Sequence, residues 1–210
     1  MLRGLDASRF ALRASALEHF ARPSPLSLPL MDSLKGQLLI SSAGLHDPNF
    51  RHTVVLVGEH NEDGALGVVL NRPLNLTVGE SVPELAPLVG EEAVLFQGGP
   101  VQPTSPVLVA EFTHETAADL PVFGSVGFLI GDVTPDIRFQ VVRARLFAGY
   151  SGWGPGQLEA EMEEGAWILD PAREEDVFSD NPEELWGRIL QRKGPPYEQI
   201  SRVPFDPRVN

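Results

Sequence analysis

The 210-residue chain contains no cysteine. Disulfides, thiolate nucleophiles and thiolate zinc sites are therefore excluded. It has no run of about 18 apolar residues, so no transmembrane helix is expected. It also lacks an excess of positive charge. Sixteen Lys and Arg face 29 Asp and Glu, a net charge of −13. Non-specific nucleic-acid binding rests on a basic stripe that displaces counterions, so direct nucleic-acid binding is not expected. No apolar segment of signal-peptide character follows the N-terminal arginines, which argues against secretion. The expected setting is the cytoplasm, with no membrane association.

Familiar catalytic signatures are missing too. There is no G-x-x-x-x-G-K-[ST] and no G-x-G-x-x-G, and no cofactor is implied. The histidines form no H-E-x-x-H pair. His46, Asp47 and His52 share one loop and are the nearest thing to a metal set, but the plainer reading is a polar loop and no metal is expected. "EHNEDG" lacks the spacing of a calcium loop. "GYSGW" has Trp153 where a nucleophile elbow needs glycine, so Ser151 is not read as a nucleophile.

What the chain does have is 42% apolar residues, 20 glycines and 19 prolines. That is the composition of a globular fold with short, tightly turned elements. Residues 1–32 differ from the rest. Within residues 1–30, Arg3, Arg9, Arg13 and Arg22 outweigh Asp6 and Glu18. "SRFALRASALEHFA" can form an amphipathic helix, and "RPSPLSLPL" breaks it. These residues are read as a dispensable extension, with Met31 an alternative start, and residues 33–210 as one domain.

Along that domain, "GQLLISSAG" is expected to be a strand and "LHDPNFRH" a loop. "TVVLVGEH" and "ALGVVLN" are strands joined by a hairpin in which Gly64 takes positive φ. "TVGE" is a capping box. "AVLFQ", "PVLVAEF", "VGFLIGDV", "FQVVRARLFAGY" and "AWILD" read as strands. "QLEAEMEEG" and "DNPEELWGRILQRKG" read as helices, the second capped by Asp180 or Asn181 and both stopped by glycine. Strands with interspersed helices and no βαβ regularity predict an α+β domain with a mixed sheet.

Three stretches could carry a site. In "NRP", Asn71 and Arg72 emerge at the end of an apolar strand, held by Pro73, and offer amide and guanidinium donors to a carboxylate or phosphate. The alternative is structural, with Asn71 capping the turn and Arg72 paired to a surface carboxylate. In "QGGP", Gly98, Gly99 and Pro100 could expose backbone amides to an anion, or simply turn. "FAGYSGWGPGQLEAEM" sets Tyr150, Gly152 and Trp153 before a helix. These are either the lip of a cleft or aromatics of the core under a glycine-rich loop.

Taken together, D-P-N-F, E-D-G-A-L-G, N-R-P, G-G-P-V and G-W-G-P-G-Q-L-E stand in an order and spacing that resemble the AlgH/YqgE family over about residues 34–194. The resemblance implies a bacterial α+β domain whose mixed, partly barrel-like sheet is surrounded by helices. It brings no reaction. The family's name comes from a proposed role in regulating alginate synthesis and transcription, and no helix-turn-helix signature stands here. Ser151 occupies a position where alanine is expected. The motif residues are expected to surround one cleft comprising Asn71, Arg72, Gly98, Gly99, Pro100, Tyr150, Gly152 and Trp153. Three functions remain open. The first, and the one favoured, is a non-enzymatic regulatory or small-molecule-binding protein with a small anionic ligand. The second is a transcriptional regulator or protein-interaction module with a protein partner. The third is a hydrolase acting on an anionic substrate.

Overall fold

A computed structural model describes residues 33–130 and 135–201. The extension over residues 1–32 and the end of the expected "VGFLIGDV" strand lie outside the described residues. Ten strands form one sheet: β1 Gln37–Ser41, β2 Val54–Asn61, β3 Gly64–Val69, β4 Pro73–Thr77, β5 Val94–Gln97, β6 Val101–Phe112, β7 Leu120–Phe123, β8 Val126–Leu129, β9 Val141–Trp153 and β10 Trp167–Pro171. The main path runs β10-β1-β2-β3-β9-β6-β8-β7, with β4 paired to β5 and β5 to β9. Only the β5–β9 pairing is parallel among those described, which makes the sheet mixed.

The thirteen-residue β9 is the spine. Its first ten residues pair with β6, its last three pair with β3, and Phe147 and Ala148 pair with β5. Around it the sheet curls until the Phe128 ring of β8 lies against Gly58 of β2, where an added Cβ would fall 2.4 Å from a ring carbon. The curl ends in side-chain contact, without strand pairing between β2 and β8. The sheet is therefore not closed into a barrel, and the expected barrel-like character reduces to this curl.

Both faces of the sheet are buried, which is why its strands read as near-continuous apolar runs. Leu38, Ile40, Leu56, Phe128, Phe147 and Tyr150 fill the inside of the curl, together with Trp186. The alternate residues Leu39, Val55, Val57 and Val69 face outward beneath Trp153, Leu158 and Trp167. A third cluster gathers Leu108, Leu146 and Ala148 under Val78, Val82 and Leu85.

Helices are short. Thr77 caps α1 (Val78–Ser81) in a reciprocal capping box with Glu80, as expected, and α2 (Ala86–Val89) follows. Next come α3 (Pro135–Gln140), α4 (Gln157–Glu163), α5 (Glu174–Val177), α6 (Leu185–Lys193) and α7 (Tyr197–Ile200). Phe139 and Gln140, expected to be extended, are helical. The cap expected for α6 also differs. Asn181 makes no side-chain capping bond, and a 3₁₀ turn over Pro182–Glu184 leads into the helix instead. Proline presets that turn without needing a side-chain cap.

Candidate functional site

The D-P-N-F loop turns on Asp47, whose Oδ1 accepts the Asn49 amide at 2.7 Å. Two residues of the N-R-P motif hold the loop from outside. Asn71 is buried. Its Oδ1 accepts from the Val54 amide at 2.9 Å, and its Nδ2 donates to the His52 carbonyl at 2.8 Å. Both ends of the amide are spent on backbone, so Asn71 fixes the loop's exit and has little left for a ligand. Arg72 donates from Nη2 to the carbonyls of Pro48 and Arg51, at 2.9 and 3.2 Å. Its Nε and Nη1 carry no hydrogen bond among the described residues. Burial pulls the Arg72 guanidinium below its ordinary pKa and Asp47 partly offsets this. It stays a cation at neutral pH.

These residues border a cavity of about 560 Å³ that also receives His52, Gln97, Glu183 and Trp186, a size within the ordinary range of ligand pockets. His52 has φ 54°. Its ring lies on the Trp186 indole, with centroids 4.0 Å apart and planes 13° from parallel. Burial, with Arg51 beside it, pushes the His52 imidazole below its usual pKa, so the ring presented here is neutral at pH 7. Trp186 is fixed by its indole N–H, which donates to the Ser41 carbonyl at 3.0 Å. The arrangement offers a half-buried cation with two open donors beside a flat aromatic wall. Such a site suits a small anion with an apolar part.

The other expected site residues sit elsewhere. Gly98 and Gly99 press against the backbone of β9, where an added Cβ would fall 2.1 Å from the Gly149 carbonyl oxygen and 2.3 Å from Tyr150 backbone atoms. The Gly98 amide donates to Ala148, and its carbonyl accepts from the Val69 amide and the buried Ser151 hydroxyl. These glycines serve close strand approach, and Gly98 has no amide left for an anion. Pro100 is exposed beside them.

Tyr150 and Trp153 stand three residues apart on one strand, so they point to opposite faces. Tyr150 joins the interior of the curl, and burial pushes its hydroxyl pKa up. Trp153 joins the outer cluster, stacked on Phe50 at 6.0 Å and edge-on to Trp167 at 6.1 Å. Gly152, between them, is exposed. Glu161 closes the outer cluster. Its Oε2 accepts both indole N–H groups, from Trp153 at 2.9 Å and Trp167 at 2.8 Å. Its Oε1 accepts from Gln157, whose own Oε1 accepts the Gly154 amide. The glycines of G-W-G-P-G thus let a loop fold over a self-satisfied aromatic cage.

The expected single cleft therefore splits into two features, joined by the D-P-N-F loop. Arg72 holds one side of that loop, and Phe50 packs its other side into the cage. Asn71 and Arg72 line the cleft together, while Trp153 lies on the far face of the sheet. Trp186, Gln97 and Glu161 escaped the sequence reading. Trp186 falls on the apolar face of an amphipathic helix, a pattern that signals core only. Among the described residues no group of three or more metal-ligating side chains gathers, and no helix is long and apolar enough to cross a membrane.

A family model described as AlgH-like matches residues 38–198. The UPF0301 protein of Streptomyces coelicolor is 41% identical over 187 residues, which cover 86% of this chain and 97% of the relative. The UPF0301 protein of Chlorobaculum tepidum is 38% identical over 186 residues, covering 83% and 95%. Among solved structures, the crystal structure of protein DIP2367 from Corynebacterium diphtheriae aligns with a TM-score of 0.74 at 27% identity, covering 84% of this chain and 95% of that one. The solution structure of the AlgH protein from Pseudomonas aeruginosa aligns with a TM-score of 0.61 at 28% identity, covering 85% and 98%.

Proposed function

The chain belongs to the AlgH-like family, and from that premise we propose that it is a cytoplasmic regulatory protein that binds a small anionic molecule in the cleft at Arg72. One observation carries this reading: Arg72, whose Nε and Nη1 carry no hydrogen bond among the described residues, lines a cavity of about 560 Å³ beside the His52–Trp186 stack. A charge held half-buried with unused donors costs desolvation energy that a bound anion offsets. The same cleft would serve an anionic substrate, so the hydrolase alternative shares this site and differs only in the fate of the bound molecule.

The protein-interaction alternative has its own support. Phe139 is 85% exposed and Val142 58% exposed, close together where α3 meets β9. Apolar groups left in water at neighbouring positions favour a partner surface. The net charge of −13 weighs against nucleic acid as that partner.

Native mass spectra of freshly purified protein test the proposal, using the full chain and one beginning at Met31. The expected result is a bound small-molecule mass that survives in Trp153→Phe and disappears in Arg72→Gln. Retention of the extra mass in Arg72→Gln would place the ligand elsewhere. A mass equal to the bare chain in every sample would favour the interaction alternative.

A further inference from the structure

The cleft at Arg72 has a neighbour at Pro73. Pro73 also lines a second cavity of about 300 Å³. Chain neighbours are divided between the two cavities. Gln97 and Glu183 border the first, and Phe96 and Pro182 border the second. The two cavities adjoin at Pro73, by the start of β4 and the end of β5, and each is bordered by part of the Pro182–Glu184 turn.

Chemistry changes from one cavity to the other. The first part presents Arg72, His52 and Gln97, with the carboxylate of Glu183 on its border and Leu74 and Trp186 as its apolar lining. The second is walled by Val89, Ala93, Val94, Phe96 and Ala144. Val94 is 42% exposed, so this apolar wall stands open to water. The second part does contain a guanidinium, that of Arg145, but it is committed. Nη1 donates to the Val177 carbonyl at 3.0 Å, Nη2 donates to the Ser179 carbonyl, and the group lies 4.7 Å from the Phe96 ring centre. Asp180 borders the same part and would repel an anion there. Open cationic donors for a negative head are therefore concentrated at Arg72, and an aliphatic wall exposed to water continues beyond Pro73.

We infer, resting on the anion-binding reading above, that the ligand is an amphiphile with a single anionic head. The head pairs with Arg72 Nε and Nη1. An apolar tail of several carbons runs past Pro73 onto Val94, Phe96 and Ala144. Each methylene laid on that wall leaves water, so affinity should climb with tail length until the second cavity is filled.

A chain-length series separates this inference from the reading beneath it. Propionate, hexanoate and decanoate are titrated into the full chain and followed by NMR amide shifts, for the wild type, Val94→Asp and Arg72→Gln. Val94 is partly exposed, so its substitution should leave folding intact, and thermal unfolding verifies this. The expected result is that decanoate binds at least tenfold more tightly than propionate to the wild type. Val94→Asp should remove most of that gain while leaving propionate unchanged, and Arg72→Gln should weaken all three. Equal affinity across the series, or a gain untouched by Val94→Asp, would overturn the amphiphile while leaving an Arg72-dependent anion site standing. Undiminished binding of all three acids to Arg72→Gln would overturn both.

Discussion

Glu161 is the residue on which the glycine-rich loop depends, since one carboxylate oxygen serves the indole N–H groups of Trp153 and Trp167. Glu161→Ala would leave two largely buried donors without a partner, at a cost of about 2–4 kcal/mol. Urea unfolding followed by tryptophan fluorescence measures this, and a loss below about 1 kcal/mol would mean that water replaces the carboxylate. Asn71→Ala should cost a similar amount, because the Val54 amide and the His52 carbonyl lose their partner together. Asp170 adds a dependence on pH. Burial alone would raise its carboxyl pKa, but hydrogen bonds and charge from Arg192 and Lys193 outweigh burial and hold it below the ordinary value. A depressed folded-state pKa contributes stability that is complete above the unfolded value of about 4, and that is lost as pH falls through the lower folded value. Asp170→Asn should therefore be less stable than the wild type at pH 7, and its stability should fall less steeply below about pH 4. Parallel curves for the two proteins in that acid range would refute the assignment.

At the scale of elements, the most local signals were the most legible. The β2–β3 hairpin follows from Gly64, which takes φ 122° at the turn. The capping box at Thr77 formed as its four residues dictate. Thr77→Ala should cost about 1 kcal/mol, read as a shift in the urea midpoint, because the Glu80 amide loses its acceptor. Other elements left no such signal. β4 and β7 are strands of five and four residues, begun or interrupted by proline and too short to stand out, and pairing with β5 and β8 holds them as strands. Both sheet faces are buried, so apolar runs revealed the strands but not which face each residue meets. That is why Tyr150 and Trp153 read as neighbours while the fold separates them. Arg72 was legible because a polar pair follows an apolar strand directly. The His52–Trp186 wall was not, because it joins residues 134 positions apart through packing alone.

At the scale of the whole molecule, the curled sheet has a single spine in β9, and the cleft lies along one side of it, across from the aromatic cage. A ligand that binds only the folded state raises stability by mass action, about 2.7 kcal/mol at a hundred times its Kd. Saturating anion should therefore raise Tm in the wild type and in Trp153→Phe, but not in Arg72→Gln. An equal rise in all three would mark non-specific ion effects. The proposed division of labour gives Arg72 to binding, and G-G-P with G-W-G-P-G to architecture. Anomalous diffraction from a crystal soaked in bromide locates an anion directly. The predicted result is a bromide within hydrogen-bonding reach of Arg72 Nε or Nη1, facing the His52–Trp186 stack. An empty Arg72 cleft, with bromide instead on the amides of Gly98–Gly99 or Gly154–Gly156, would contradict that division.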